Sequence, residues 1–236
     1  MFKATNEQSD IIQEIVNGNS DVVVEAGPGS GKTTTILEAM KLLPSSAKIL
    51  YLCFNSRNAE EAKGKVPSNV DACTLNSMGY RITRNYIRAK VNKFKTQNRL
   101  QEYLGAKWNK STKAVEFENK DSEKLYYQSV NIVCRMVALM KGDCIYGNKI
   151  TADTVIDMLV AYQIVCHCVD AETLVNLIIT IYKICLADVK EIDFDDQIAF
   201  PVKNGWKIKA DYDYIFVDEA QDLNLAQFKL VESLVA

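Results

Sequence analysis

"AGPGSGKTTT", residues 26–35, is the stretch on which the reading of this chain turns. It follows "DVVVEA" (21–26), a short β-branched run bounded by turn residues, which predicts a buried strand. After it, the spacing predicts a helix from about Lys32 to Leu43, stopped by Pro44. Gly27, Gly29 and Gly31 allow close backbone approach and dihedrals that other residues avoid. Backbone N–H groups gathered at a helix N-terminus form a phosphate cradle. The usual pattern, G-x-x-x-x-G-K-[ST], has glycine where this chain has Ala26; at a strand-to-loop junction a small residue suffices. Lys32 can then reach terminal phosphates, and the Thr33 hydroxyl can ligate Mg²⁺. An ordinary Gly-rich turn with a chance Lys-Thr is the competing reading, and the strand–loop–helix context speaks against it.

Working outward, Thr5 and Gln8 suit a capping box at the start of a helix whose apolar face is Ile11, Ile12, Ile15 and Val16. "KILYLCF" (48–54) predicts a second buried strand, residues 56–63 a helix, and "VDACTL" (70–75) a short strand. Such alternation implies a parallel α/β sheet. From about 82 to 190 the spacing turns helical, as at Ile132, Val133, Met136, Val137 and Met140, then Val155, Leu159, Tyr162 and Cys166. Sheet-like sequence returns at "YDYIFVDEA" (212–220), followed by a helix through Phe228 to Leu234. The expected architecture is therefore a sheet domain over 1–81 and 191–236, interrupted by a helical insertion over 82–190. The returning strand ends in Asp218 and Glu219, directly after Ile215, Phe216 and Val217. In phosphoryl transfer the first carboxylate can hold the metal and the second can orient the attacking water. Alone, two such acids could equally be a solvated turn or cap; beside the glycine-rich loop they complete a nucleotide site.

Five stretches in this order, "NEQSDII" (6–12), "AGPGSGKTTT", "ILYLCFNSRNAEEA" (49–62), "CTLNSMGYR" (73–81) and "IFVDEAQDLN" (215–224), resemble the N-terminal half of a UvrD/Rep-type superfamily 1 DNA helicase. The resemblance covers 6–80 and 191–236 well and the helical middle by position only. It implies a RecA-like P-loop NTPase fold, with ATP and Mg²⁺ as cofactors and single-stranded DNA as partner. It implies that Gln8 contacts the adenine edge and that Gly27, Gly29, Ser30, Gly31, Lys32, Thr33 and Thr34 surround the phosphates. Thr33 and Asp218 would hold the metal, Glu219 would be the catalytic carboxylate, and Gln221 would sense the nucleotide state. Phe54, Asn55, Thr74, Asn76 and Ser77 resemble the segments that touch DNA. From the residues alone, Phe54 could equally be strand-end core and Gln8 only part of the capping box.

The chain departs from the family pattern twice in these segments. Thr34 stands where members often carry an arginine that stacks on adenine, and Thr74–Ser77 replaces "TFHS". The family motor also uses a second RecA-like domain, which supplies arginines to the ATP. The expectation is thus a truncated or split half, binding nucleotide with little unwinding, whose C-terminal RecA-like partner lies in the same full-length protein or in a separate chain. Competing readings are a P-loop ATPase or kinase of another class, and a nucleotide-switch module that binds DNA or protein without motor activity.

Composition narrows the field without choosing. A net charge of -2 excludes a polycation, so nucleic-acid affinity must come from a local patch. "MFKATNEQSD" lacks a signal-peptide core, and uncharged runs such as "MLVAYQIVCHCV" (158–169) are too short to span a bilayer. Seven scattered cysteines favour reduced thiols in a cytoplasmic, nucleoid or nuclear setting. Between Arg81 and Lys113, basic residues are interleaved with Tyr86, Phe94, Tyr103 and Trp108, and Glu102 is the only acid. That run suits a single-strand contact surface or a solvated helical face. "CHC" (166–168) reads as packing on a helix rather than zinc, because alternating residues on a helix point apart. "DFDD" (193–196) reads as a helix start.

Overall fold

The computed structural model of the chain describes residues 3–18, 20–208 and 212–235. In chain order these residues form α1 (Asn6–Asn17), α2 (Lys32–Leu42), β1 (Ile49–Cys53), α3 (Ser56–Lys63), β2 (Val70–Thr74) and α4 (Leu75–Tyr86). Then come β3 (Lys90–Val91), α5 (Lys95–Tyr103), β4 (Lys107–Asn109), β5 (Ala114–Glu116), α6 (Lys120–Gly142), α7 (Ala152–Ala161) and α8 (Ala171–Ala187). The last elements are β6 (Glu191–Ile192), α9 (Phe194–Asn204), β7 (Tyr214–Val217) and α10 (Leu225–Val235). Two compact units result: one from the chain up to Met78 and the stretch ending at Leu223, the other from Gly79–Ile208 and Asn224–Leu234.

The first unit is built on a parallel sheet of order β2-β1-β7, giving the expected mixed α/β class. β1 is central, which explains its unbroken apolar run: a strand flanked on both edges and covered on its faces has no polar side to present. Its register aligns Cys53 with Thr74 and Leu52 with Val217, so all three strands end together at one edge of the sheet. Met40, Leu43, Ile49, Tyr51, Cys53, Ala59 and Ala62 form the core between β1 and the helices α2 and α3. Thr5 and Gln8 make the capping box that starts α1, with both reciprocal bonds present.

The strand expected over 21–26 does not form. Val23 is 86% exposed, and among the described residues β7 is paired only with β1. A β-branched run satisfies strand propensity, but a strand exists only where a neighbour's N–H and C=O groups meet it.

The second unit packs α5, α6, α7, α8 and α9 around Leu100, Val133, Met136, Met140, Ile178, Ile181, Tyr182 and Phe200. It also contains two small sheets, parallel β3-β6 and antiparallel β4-β5, too short to register in the sequence pattern. The segment 166–168 is a loop, not a helix: Cys166 packs against the core while Cys168 is exposed. No group of three potential metal-ligating side chains occurs among the described residues. "DFDD" starts α9 as expected, with Asp193 as N-cap and Asp196 completing a capping box. Within this unit Gly79 of α4 lies against α9 so closely that a β-carbon would overlap the Gln197 carbonyl. Gly79→Ala is therefore expected to destabilise the protein by about 1–3 kcal/mol, the usual cost of overpacking. Urea unfolding measures it, and an unchanged midpoint would contradict that close approach.

Candidate functional site

The loop before α2 owes its shape to two left-handed glycines, Gly29 (φ 75°) and Gly31 (φ 87°), conformations that other residues enter only with strain. Ser30 N donates to Gly27 O at 3.3 Å, closing the turn, and Thr35 N donates to Gly31 O at 2.9 Å, opening the helix. Gln8 Nε2 reaches Ser30 O at 3.4 Å, so the residue that caps α1 also touches the loop. A β-carbon at Gly31 would sit only 3.0 Å from that amide nitrogen. Lys32 Nζ bridges the loop from its end to its start, donating to Ala26 O at 3.0 Å. Thr34 is exposed.

Chain topology then brings in the acid. Thr33 Oγ1 donates to Asp218 Oδ2 at 3.4 Å across 185 residues of sequence. Asp218 is only 5% exposed, and its N–H continues the ladder by donating to Leu52 O at 3.0 Å. Tyr51 OH, wholly inside the core, donates to the same Oδ2 at 2.9 Å. Burial, and then the neighbouring Asp218 charge, hold the Tyr51 phenol far above its ordinary pKa, so it remains a donor. Cys53 is pushed up to about 11, again chiefly by burial and then by Asp218. Glu219 follows in a left-handed conformation (φ 53°), a strained choice for a non-glycine residue. Its carboxylate accepts a hydrogen bond from Gln221 Nε2.

Of these groups Thr33, Tyr51 and Asp218 border a cleft of about 180 Å³, which Leu37, Asn58, Glu61, Ala62 and Lys65 also line. Sequence reasoning missed Tyr51, Asn58, Glu61 and Lys65. Tyr51 had a legible signal, since a phenol inside an otherwise aliphatic strand needs a partner for its hydroxyl. Asn58 and Glu61 of α3, and Lys65 just after it, had none, because their neighbours are set by packing. The hydroxyl and carboxylate oxygens of Thr33 and Asp218 are the hard donors that suit a small divalent cation such as Mg²⁺.

The five residues expected to face DNA lie at the same strand-end edge, where open α/β sheets place ligands. Phe54 is about half exposed directly after β1. Asn55 caps α3 by accepting from Asn58 N at 2.8 Å. Thr74 accepts from Ser77 N at 3.1 Å and donates to Ser77 Oγ at 3.0 Å, while Asn76 is half-buried. In the helical unit the basic run divides. Lys95 and Arg99 are consumed in internal ion pairs, whereas Phe94, Tyr103 and Trp108 are more than half exposed.

Comparison with known proteins adds two findings. The family model described as the UvrD/REP helicase N-terminal domain matches residues 4–236. The F-box DNA helicase protein 1 of Schizosaccharomyces pombe (strain 972 / ATCC 24843) is 37% identical over 76 residues. That stretch is 32% of this chain and 8% of the yeast protein's length.

Proposed function

The chain belongs to the UvrD/REP helicase N-terminal domain family, and from that premise we propose that it binds ATP with Mg²⁺ as a helicase motor domain. In the whole protein, hydrolysis would drive movement along single-stranded DNA. The observation that carries this reading is the Thr33–Asp218 contact, which unites the glycine-rich loop with the acidic strand end. The sheet unit is the proposed motor core and the helical unit its insertion. No helix among the described residues is long and apolar enough to cross a membrane.

In the proposed mechanism Gly27, Gly29, Ser30 and Gly31 offer backbone N–H groups to the phosphates, and the α2 N-terminus adds its dipole. Gln8, already held against Ser30, is placed to read the base. Lys32 exchanges the Ala26 carbonyl for phosphate oxygens and puts a positive charge where charge accumulates. Thr33 and Asp218 would hold the cation, which would supply positive charge to the phosphate oxygens. Glu219 orients the attacking water and accepts its proton, and Gln221 is coupled to it through their hydrogen bond. Phe54, Asn55, Thr74, Asn76 and Ser77 are the proposed DNA contacts. In the whole protein, groups from a second RecA-like domain would complete the cycle.

The test is ATP hydrolysis with and without single-stranded DNA, for this chain and for a version extended at its C-terminus. DNA-stimulated turnover in the extended protein supports the motor. Nucleotide binding with no response to DNA in either protein favours a nucleotide-switch module instead.

A further inference from the structure

Asp218 has its backbone fixed by the ladder to Leu52, and the orientation of its side chain is set by separate contacts. Two hydroxyls restrain it, and both hydrogen bonds fall on Oδ2: Tyr51 OH at 2.9 Å and Thr33 Oγ1 at 3.4 Å. The Thr33 bond is long, and in the proposed mechanism its hydroxyl turns to the cation. Tyr51 then remains the donor that holds the carboxylate. We propose that Tyr51 is a positioning residue for the metal site: its hydroxyl holds Oδ2 of Asp218 and so orients the carboxylate for the divalent cation accompanying a nucleoside triphosphate.

The sheet explains why a residue of β1 can do this. Tyr51 is register partner to Phe216 on β7, and partners in adjacent strands share a face of the sheet. Asp218 lies two residues beyond Phe216, on that same face, about 6.6 Å further along at 3.3 Å per residue. A phenol has the length to cover that step, whereas Phe at the same place would fill the core and leave Oδ2 without its buried donor. Ligating carboxylates are commonly oriented by such outer hydrogen bonds, and loss of the partner typically lowers metal affinity about 10–100-fold. Tyr51 belongs to the same buried cluster as Ile49, Cys53, Met40 and Ala59, where close packing restricts side-chain motion.

This inference rests on reading the site as one for a metal–nucleotide complex, and the experiment separates the two. Mn²⁺ serves as the probe, its binding to the protein with a non-hydrolysable ATP analogue followed by electron paramagnetic resonance. Analogue binding in EDTA is read alongside by fluorescence, and melting temperature by calorimetry. Tyr51→Phe is expected to melt near wild type, to bind the analogue in EDTA as wild type does, and to lose roughly tenfold in Mn²⁺ affinity. Ile49→Val, on the same strand face but away from the carboxylate, controls for loosened packing and is expected to keep Mn²⁺ affinity. Wild-type Mn²⁺ affinity in Tyr51→Phe, or an equal loss in Ile49→Val, overturns the positioning role. Asp218→Asn and Lys32→Ala test the parent reading. If neither weakens binding of Mn²⁺ or analogue, the metal–nucleotide site itself is wrong, whatever Tyr51→Phe does.

Discussion

Lys32→Ala and Glu219→Gln are each expected to lower ATP turnover at least about a hundredfold in the C-terminally extended protein, but for different reasons. Removing the lysine takes a positive charge from the loop where phosphate charge develops, so binding and turnover fall together. Removing the Glu219 carboxylate leaves the loop, Thr33 and Asp218 intact. Turnover is lost because the water is no longer oriented and its proton has no acceptor, a contribution worth about 10²–10⁴ in rate. Glutamine at 219 should therefore bind the nucleotide as tightly as wild type while hydrolysing it slowly. Steady-state hydrolysis combined with analogue binding separates the two effects. Glu219→Gln with undiminished turnover would remove the catalytic role and leave Glu219 as a strained turn residue.

The second large effect concerns stability and lies in the helical unit. Lys141 Nζ stands 2.7 Å from Asp193 Oδ2 and 2.8 Å from Asp196 Oδ1, with only 1% of its side chain exposed. Lys95 Nζ, fully buried, donates to Asp196 Oδ2 at 2.7 Å, Cys185 O at 2.8 Å and Asp188 O at 2.9 Å, and lies 5.0 Å from the centre of the Phe200 ring. Two lysines and two aspartates thus neutralise each other with almost no water. Burial alone would lower the Lys141 pKa, but Asp196 and Asp193 outweigh it and raise the value. Burial likewise works against the Asp193 charge, and Lys141 overcomes it to hold that carboxyl below its ordinary range.

Lys141→Met is expected to cost about 3–5 kcal/mol, because it strands buried negative charge rather than merely deleting a contact. That is a large share of the stability of an ordinary domain, about 5–15 kcal/mol. The double variant Lys141→Met/Asp193→Asn should recover part of the loss, since it removes a stranded charge as well. Chemical unfolding of the set measures this, and a loss under about 1 kcal/mol for Lys141→Met would show that the cluster is wetter than its geometry implies.

These two expectations differ in how far the sequence announces them. The loop, its lysine and the acids after β7 are legible because their chemistry is local. Glycines at fixed spacing set backbone conformation, and a Lys-Thr pair at a helix start has few other uses. The helix start at Asp193 was readable for the same reason, a side-chain oxygen bonding N–H groups within one turn. The buried cluster was not readable. Lys95 belongs to a basic run that looks like a solvated or DNA-facing surface, and nothing near it in sequence reveals that α8 and α9 supply its partners. The run 21–26 fails in the opposite direction, with strong strand propensity and no ladder neighbour among the described residues.

The sequence by itself determined the α/β class, the parallel strands β1, β2 and β7 and the helical middle, because these follow from periodicity and turn chemistry, while the family was legible through the resemblance of five short stretches. Only the tertiary structure decided that Tyr51 grips Asp218, that Lys95 and Lys141 are internal, and that 21–26 has no ladder partner among the described residues. Each of these depends on which residues meet across tens to hundreds of positions, and sheet register and helix packing set those meetings rather than any local pattern.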